Sequence, residues 1–166
     1  TEESGVLENE PVLAAIAALR DGALTAAPGA KWAPGLSVSS PQLPAIERAV
    51  ALQQGGAPLF ASVQATFNVF DQSAAGALRA AHEAGMVVII KEAMANGRVL
   101  ESELLRTEAQ RLGTSVDALA LAWVMSHDWV DICLSGAATV DHLRSNAEAL
   151  KLVPLPADVQ TRLAEG

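Results

Sequence analysis

The chain has 166 residues, 51% apolar but only 4% aromatic, and its 19 acidic and 11 basic residues give a formal net charge of −8. That length suits one domain with a packed core and falls short of the roughly 200 or more residues of a complete eight-fold βα barrel. Scattered basic residues on an acidic chain argue against nucleic acid and anionic membranes as partners, and no apolar run reaches bilayer length.

Thr1–Glu8 reads as polar and extended. Asn9 is a helix cap, and Pro11 is tolerated in the first turn because N–H groups there have no intrahelical partner. Val12, Leu13, Ile16 and Leu19 form the apolar stripe of that helix, which ends near Gly22. Ala23 to Pro34 is rich in Ala, Gly and Pro and has no periodicity. Gly35–Val38 reads as a short strand, although Pro34 sits where a ladder N–H is expected. A helix is expected to start at Ser39/Ser40-Pro41, to turn Leu43, Ile46, Ala49, Val50 and Leu52 inward, and to stop at Gly55-Gly56.

A second strand spans Ala61 to Phe67. Asp71-Gln72-Ser73 then opens a helix with Ala77, Leu78, Ala81 and Ala84 inward, closed by Gly85. Met86–Ile90 is a continuous apolar run, as expected of a parallel strand buried on both faces, and it ends in Lys91-Glu92. Two helices, Glu101–Leu112 and Ser115–Ser126, are separated by Gly113, with Thr114–Asp117 as a cap region. The fourth strand is Val130–Leu134 and contains Cys133, which reads as core filler because the chain has neither a disulfide framework nor a CxxC metal pattern. Thr139–Ala149 is the next helix, and Pro154-Leu155-Pro156 leads into a terminal one. With no signal-peptide shape in the first residues, the expectation is a soluble, cytoplasmic protein.

Strand and helix alternating through the chain argue for parallel βαβ units, and ligands of such folds collect at the carboxyl ends of strands. That rule selects Ser37, Gln64 with Asn68, Lys91 with Asn96-Gly97, and Ser135-Gly136. Each has a plainer reading. Ser37 is equally a turn start, and a Gln64 amide inside an apolar strand can be satisfied by backbone as well as by a ligand. Taken alone, Lys91 reads first as a snorkelling surface lysine, and glycine ahead of a helix, as at Gly136, is weak evidence by itself. The three histidines form no metal pattern and are read as solvated.

In order along the chain, Ala61–Asn68, Gly85–Ala93, Asn96-Gly97-Arg98, Asp117–Val124, and Leu134–Thr139 with Leu143–Asn146 resemble the C-terminal half of an aldo/keto reductase. The resemblance covers nearly everything from Gly35 onward. It implies an α/β fold of parallel (β/α) units, a partial TIM barrel carrying strands five to eight, as a single domain over residues 1–166. It also implies NADP (NADPH) as cofactor, with NAD possible, and a small-molecule carbonyl substrate for the intact enzyme. Ser37 and Gln64 would hold the nicotinamide carboxamide, with Val38 standing where many members have asparagine. Lys91 would lie beside the nicotinamide, and Ala93–Arg98, with Asn96 and Gly97, would wrap the pyrophosphate. Ser135 and Gly136 to Thr139 would receive the adenosine 2′-phosphate, with Asn146 reaching the adenine. His142 stands where many members have Arg or Gln, and Ser145 where a glutamate is usual.

The family's catalytic acid is a tyrosine supported by aspartate, lysine and histidine from the first half of the barrel, and this chain contains no tyrosine. No catalytic residue is therefore assigned, and the chain is expected to be inactive alone. Two other readings stand beside the reductase fragment. One is a non-catalytic nucleotide-binding or interaction subunit completed by the missing barrel half or by self-association, since a half barrel leaves open strand edges. The other is a Schiff-base lyase with Lys91 as nucleophile.

Overall fold

A computed structural model of the chain describes residues 5–23 and 31–165. Thr1–Ser4 and most of the aperiodic Ala23–Pro34 stretch lie outside the described residues. In place of the extended start, Val6–Glu8 form one 3-10 turn that buries Leu7. The first helix, α1 (Glu10–Arg20), is capped by the Asn9 side chain, which accepts a hydrogen bond from Val12 N at 3.2 Å.

Strand β1 (Gly35–Ser37) is followed by helix α2 (Leu43–Ala51). That helix starts later than the Ser-Pro pair suggests. Ser40–Pro41 is a cis peptide, and Pro44 occupies the first turn instead. The shift moves Leu43 to the surface and turns Ala45, Ile46 and Ala49 inward. Gly55-Gly56 does not stop α2 but turns a hairpin between β2 (Gln53–Gln54) and β3 (Ala57–Pro58). Both glycines have positive φ, 61° and 77°, which a two-residue turn of this hand requires. Arg20 holds the hairpin by donating to Gln54 O, Ala57 O and Pro58 O at 3.0–3.2 Å.

Then come β4 (Ser62–Thr66), α3 (Ala75–Glu83), β5 (Val87–Lys91), α4 (Glu103–Leu112), α5 (Val116–Met125), β6 (Ile132–Cys133), α6 (Val140–Ala147) and α7 (Ala157–Glu165). Among the described residues, four strands form one parallel sheet in the order β1-β4-β5-β6. Gly35, Leu36 and Ser37 pair with Ser62, Val63 and Gln64, and Ile89 and Ile90 pair with Ile132 and Cys133. The Pro34 ring does not end the approach to β1, because its carbonyl accepts from Ala61 N at 2.7 Å.

The chain falls into two compact units, residues 1–65 with 74–88 and residues 66–73 with 89–166. In the first, Leu13, Ile46, Leu59, Val63 and Leu78 are at most 1% exposed, and α2 packs on α3. In the second, α5 is apolar on every side and is buried throughout Ala118–Val124, as a helix without a polar face must be. Phe67, Trp123 and Trp129 cluster there, with Phe67 stacked on Trp123 at 5.2 Å and edge-on to Trp129 at 4.8 Å. His127 joins them and corrects its reading as a solvated histidine. Its Nδ1 lies 2.9 Å from Trp123 O and 3.1 Å from Val124 O; both partners only accept, so Nδ1 carries the proton and donates.

Strand β5 corrects a second expectation. Val88 and Ile90 are fully buried, but Val87 is 41% exposed, and Ile89 and Lys91 are half-buried. The continuous apolar run therefore buries only alternate residues, in the manner of a strand covered on one face. Val63 and Ala65 of β4 are buried in the same alternating way, between half-buried Ser62, Gln64 and Thr66.

Candidate functional site

The second unit gathers its chemistry at the carboxyl ends of β5 and β6, where parallel α/β folds place their ligands. A cleft of about 510 Å³ opens there. Lys91 from the end of β5, Asn96 and Gly97 from the loop that follows, Ser135 and Gly136 after β6, and His142 and Asn146 on α6 all line it. Thr139 is not among the lining residues. Its hydroxyl caps α6 by accepting from His142 N at 3.1 Å.

Local sequence explains the shape of these loops. After Lys91 the backbone turns left-handed at Glu92, Ala95, Asn96 and Gly97, with φ of 56°, 47°, 56° and 89°. Only the last is a glycine, so three residues hold a conformation that costs on the order of 1 kcal/mol or more each. A buried amide helps to hold it. Asn68, 1% exposed, donates from Nδ2 to Glu92 O at 2.9 Å and accepts at Oδ1 from Phe70 N and Asp71 N, both at 3.0 Å. Its oxygen and one of its two N–H groups are thus committed within the protein. On the other wall, Leu134 N continues the ladder to Ile90 O at 2.9 Å. Gly136 then turns with φ 64°, and Asn146 Nδ2 ties the loop to α6 by donating to Ser135 O at 3.0 Å.

The cleft also holds a residue whose sequence context is that of a helix cap. Asp117, in the first turn of α5, lines it. Burial pushes its carboxyl up, but hydrogen bonds from Ser115, Ser145 and the backbone N–H groups of Ala118 and Asp117 outweigh that and hold it below the ordinary carboxylate value. The two serine hydroxyls lie 3.3 Å apart. No local pattern marks Asp117 as a cleft residue, because α5 and α6 are brought together only by tertiary packing.

In the first unit, Ser37 and Gln64 stand opposite each other in the β1–β4 register, and Ser37 Oγ donates to Gln64 Oε1 at 2.9 Å. The Gln64 amide therefore has a side-chain partner within its own sheet. Cys133 lies at the floor of a smaller apolar recess of about 200 Å³ beside Met125, Leu143 and Leu150, and burial pushes its thiol up to about 12. Among the described residues no group of His, Cys, Asp and Glu could hold a metal ion, and no helix is long and apolar enough to cross a membrane.

The family model described as "Aldo/keto reductase family" matches residues 35–165. The chain belongs to the aldo/keto reductase family. The α/β fold read from the sequence stands with it: the parallel sheet and its helices match part of the TIM barrel of solved aldo/keto reductases. One is a thermostable aldo-keto reductase, Tm1743, in complex with the inhibitor epalrestat. It is 22% identical with a TM-score of 0.69, over 96% of this chain and 54% of that one. Another is the holo form of aldo-keto reductase AKR11C1 from Bacillus halodurans, 18% identical with a TM-score of 0.61, over 79% of this chain and 48% of that one. The apo form of the same enzyme gives 19% identity and a TM-score of 0.59, over 73% and 46%. At these identities the likeness speaks to the fold, and the chain spans about half the length of these structures. No curated protein matches the chain. Aldo/keto reductases are oxidoreductases that generally use NAD(P)H on small carbonyl compounds.

Proposed function

We propose that this aldo/keto reductase chain supplies the dinucleotide-binding part of an NAD(P)H-dependent oxidoreductase acting on an aldehyde or ketone. The observation that carries the reading is the cleft at the ends of β5 and β6, which collects Lys91, Asn96, Gly97, Ser135, Gly136, His142 and Asn146. Its donor set fits such a ligand. An ammonium, two amides and a hydroxyl line one space beside left-handed backbone that admits a ligand closely, and an added Cβ at Gly97 or Gly136 would meet nothing within 4 Å.

In this reading Lys91 lies at the nicotinamide end and steers the phosphates by charge, the Asn96-Gly97 turn follows the pyrophosphate, and Asn146 meets the adenine. Ser37 and Gln64, to which the family resemblance gives the carboxamide, are hydrogen-bonded to each other within the first unit. The bound reduced nicotinamide would supply hydride, and the proton for the carbonyl oxygen must come from a group that this tyrosine-free chain does not contain. Its partner is then the complementary half of a barrel, which would carry that group, and its substrate a small carbonyl compound of the assembled enzyme. Binding without turnover is the behaviour expected of the chain by itself.

Titration of the purified chain with NADPH and NADH, followed by cofactor fluorescence, tests this. Saturable binding supports the reading. A folded sample that binds neither would overturn it and leave the reductase likeness as ancestry.

A further inference from the structure

The charges around the cleft divide unevenly. Two carboxylates, Glu92 and Asp117, face one ammonium, Lys91, and no arginine lines the space among the described residues. Arg144, the arginine of α6, is exposed and donates to Asp141 at 3.2 Å. Lys91 belongs to the β5 end, whereas Asp117 lies in the first turn of α5, two residues after Ser115, whose Oγ is 3.3 Å from that of Ser145, the neighbour of Asn146 on α6. The carboxylate therefore sits at the end of the cleft that the dinucleotide reading gives to the adenosine. It is half-buried, and the Ser115 and Ser145 hydroxyls pair with each other beside it.

Resting on that reading, we infer that Asp117 makes the cleft select a dinucleotide whose adenosine ribose keeps a free 2′-hydroxyl, NAD(H), over its 2′-phosphorylated form. A half-buried carboxylate accepts hydrogen bonds from ribose hydroxyls, which is how an acidic residue serves a ribose in dinucleotide sites of other folds. A 2′-phosphate in the same place would set a second anion beside it in a partly desolvated wall. The arginine that ordinarily compensates such a phosphate is not among the lining groups. The selection thus works by attraction of one ligand and repulsion of the other, from one side chain.

The test is the affinity of the chain for NADH and for NADPH, in the parent, in Asp117→Asn and in Asp117→Glu. The parent is expected to bind NADH about tenfold or more tightly than NADPH. Asp117→Asn should bring the two affinities to within about threefold, and Asp117→Glu should keep the preference. Raising the ionic strength should narrow the parent's preference by strengthening NADPH binding relative to NADH, a response that steric exclusion would not show and that needs no variant to fold. A parent that binds NADPH as well as NADH, or a ratio unchanged in Asp117→Asn, overturns the role of Asp117 and leaves the dinucleotide reading intact. Absence of binding by either cofactor to folded parent protein overturns both.

Discussion

Asn68→Ala tests whether the cleft is held by the buried amide beneath it. The substitution deletes three hydrogen bonds, to Glu92 O, Phe70 N and Asp71 N. At about 0.5–1.5 kcal/mol net for each, the upper bound is about 4.5 kcal/mol. Two of the stranded groups keep a second partner: Ala95 N still donates to Glu92 O at 2.8 Å, and Asp71 N still donates to Asn68 O at 3.1 Å. Only Phe70 N loses its sole partner, so the expected loss is about 2 kcal/mol, or roughly 4–8 °C in Tm for a chain of this size. The left-handed backbone at Glu92 loses one of its anchors in the same step, so dinucleotide affinity should fall by several-fold. Urea denaturation gives the first quantity and cofactor titration the second. Asn68→Asp separates the contributions: the carboxylate still accepts from Phe70 N and Asp71 N but faces Glu92 O without a proton to donate. Its penalty should therefore shrink as acid protonates it. A stability loss below about 0.5 kcal/mol for Asn68→Ala, with cofactor affinity unchanged, would refute the argument.

The Glu108 cluster predicts the acid limb of stability. Glu108 on α4 is 7% exposed and accepts from Arg111 at 2.9–3.0 Å and from Arg162 of α7 at 3.2–3.3 Å. The hydrogen bond from Arg111, with a further one from Arg162, outweighs burial and holds its carboxyl below the ordinary 4.5. A carboxyl depressed on folding contributes stability that is present above its unfolded pKa and lost as pH falls through its folded one. Glu108→Gln should thus be less stable near neutrality and should show a flatter decline below about pH 4.5, read from urea midpoints across pH. Parallel curves for parent and variant would count against the ion-pair account. Cys133, its thiol pushed up to about 12 by burial, should alkylate far more slowly with iodoacetamide near pH 8 in the folded chain than in urea. Equal rates in the two states would show that the recess around it is open.

Much of the second unit was legible because its signals are local. Ser115 caps α5, Gly113 ends α4 at φ 66°, and Thr139 caps α6, as the residue types at those places require, whereas α4 starts at Glu103, two residues later than Glu101, with Ser102 as its cap. The candidate residues at the ends of β5 and β6 followed from one rule about parallel strands, and the cleft collects them. The misreadings share a different cause. Gly55-Gly56 stops a helix or turns a hairpin with equal local ease, and the choice fell to Arg20, distant in sequence, whose guanidinium binds three carbonyls of the hairpin. His127 looks solvated beside Ser126 and Asp128 until Phe67 and Trp129 are packed around it.

By itself, then, the order of strands and helices, their caps and the ordered family blocks determined the parallel α/β class, because periodicity and capping are properties of neighbours along the chain. The tertiary structure alone decided which face of β5 is covered, where the Asn68 amide is committed, and that the start of α5 meets α6 with Asp117 at the cleft wall. Those outcomes depend on burial and on charges brought close across many residues of sequence, and no local pattern encodes such distances.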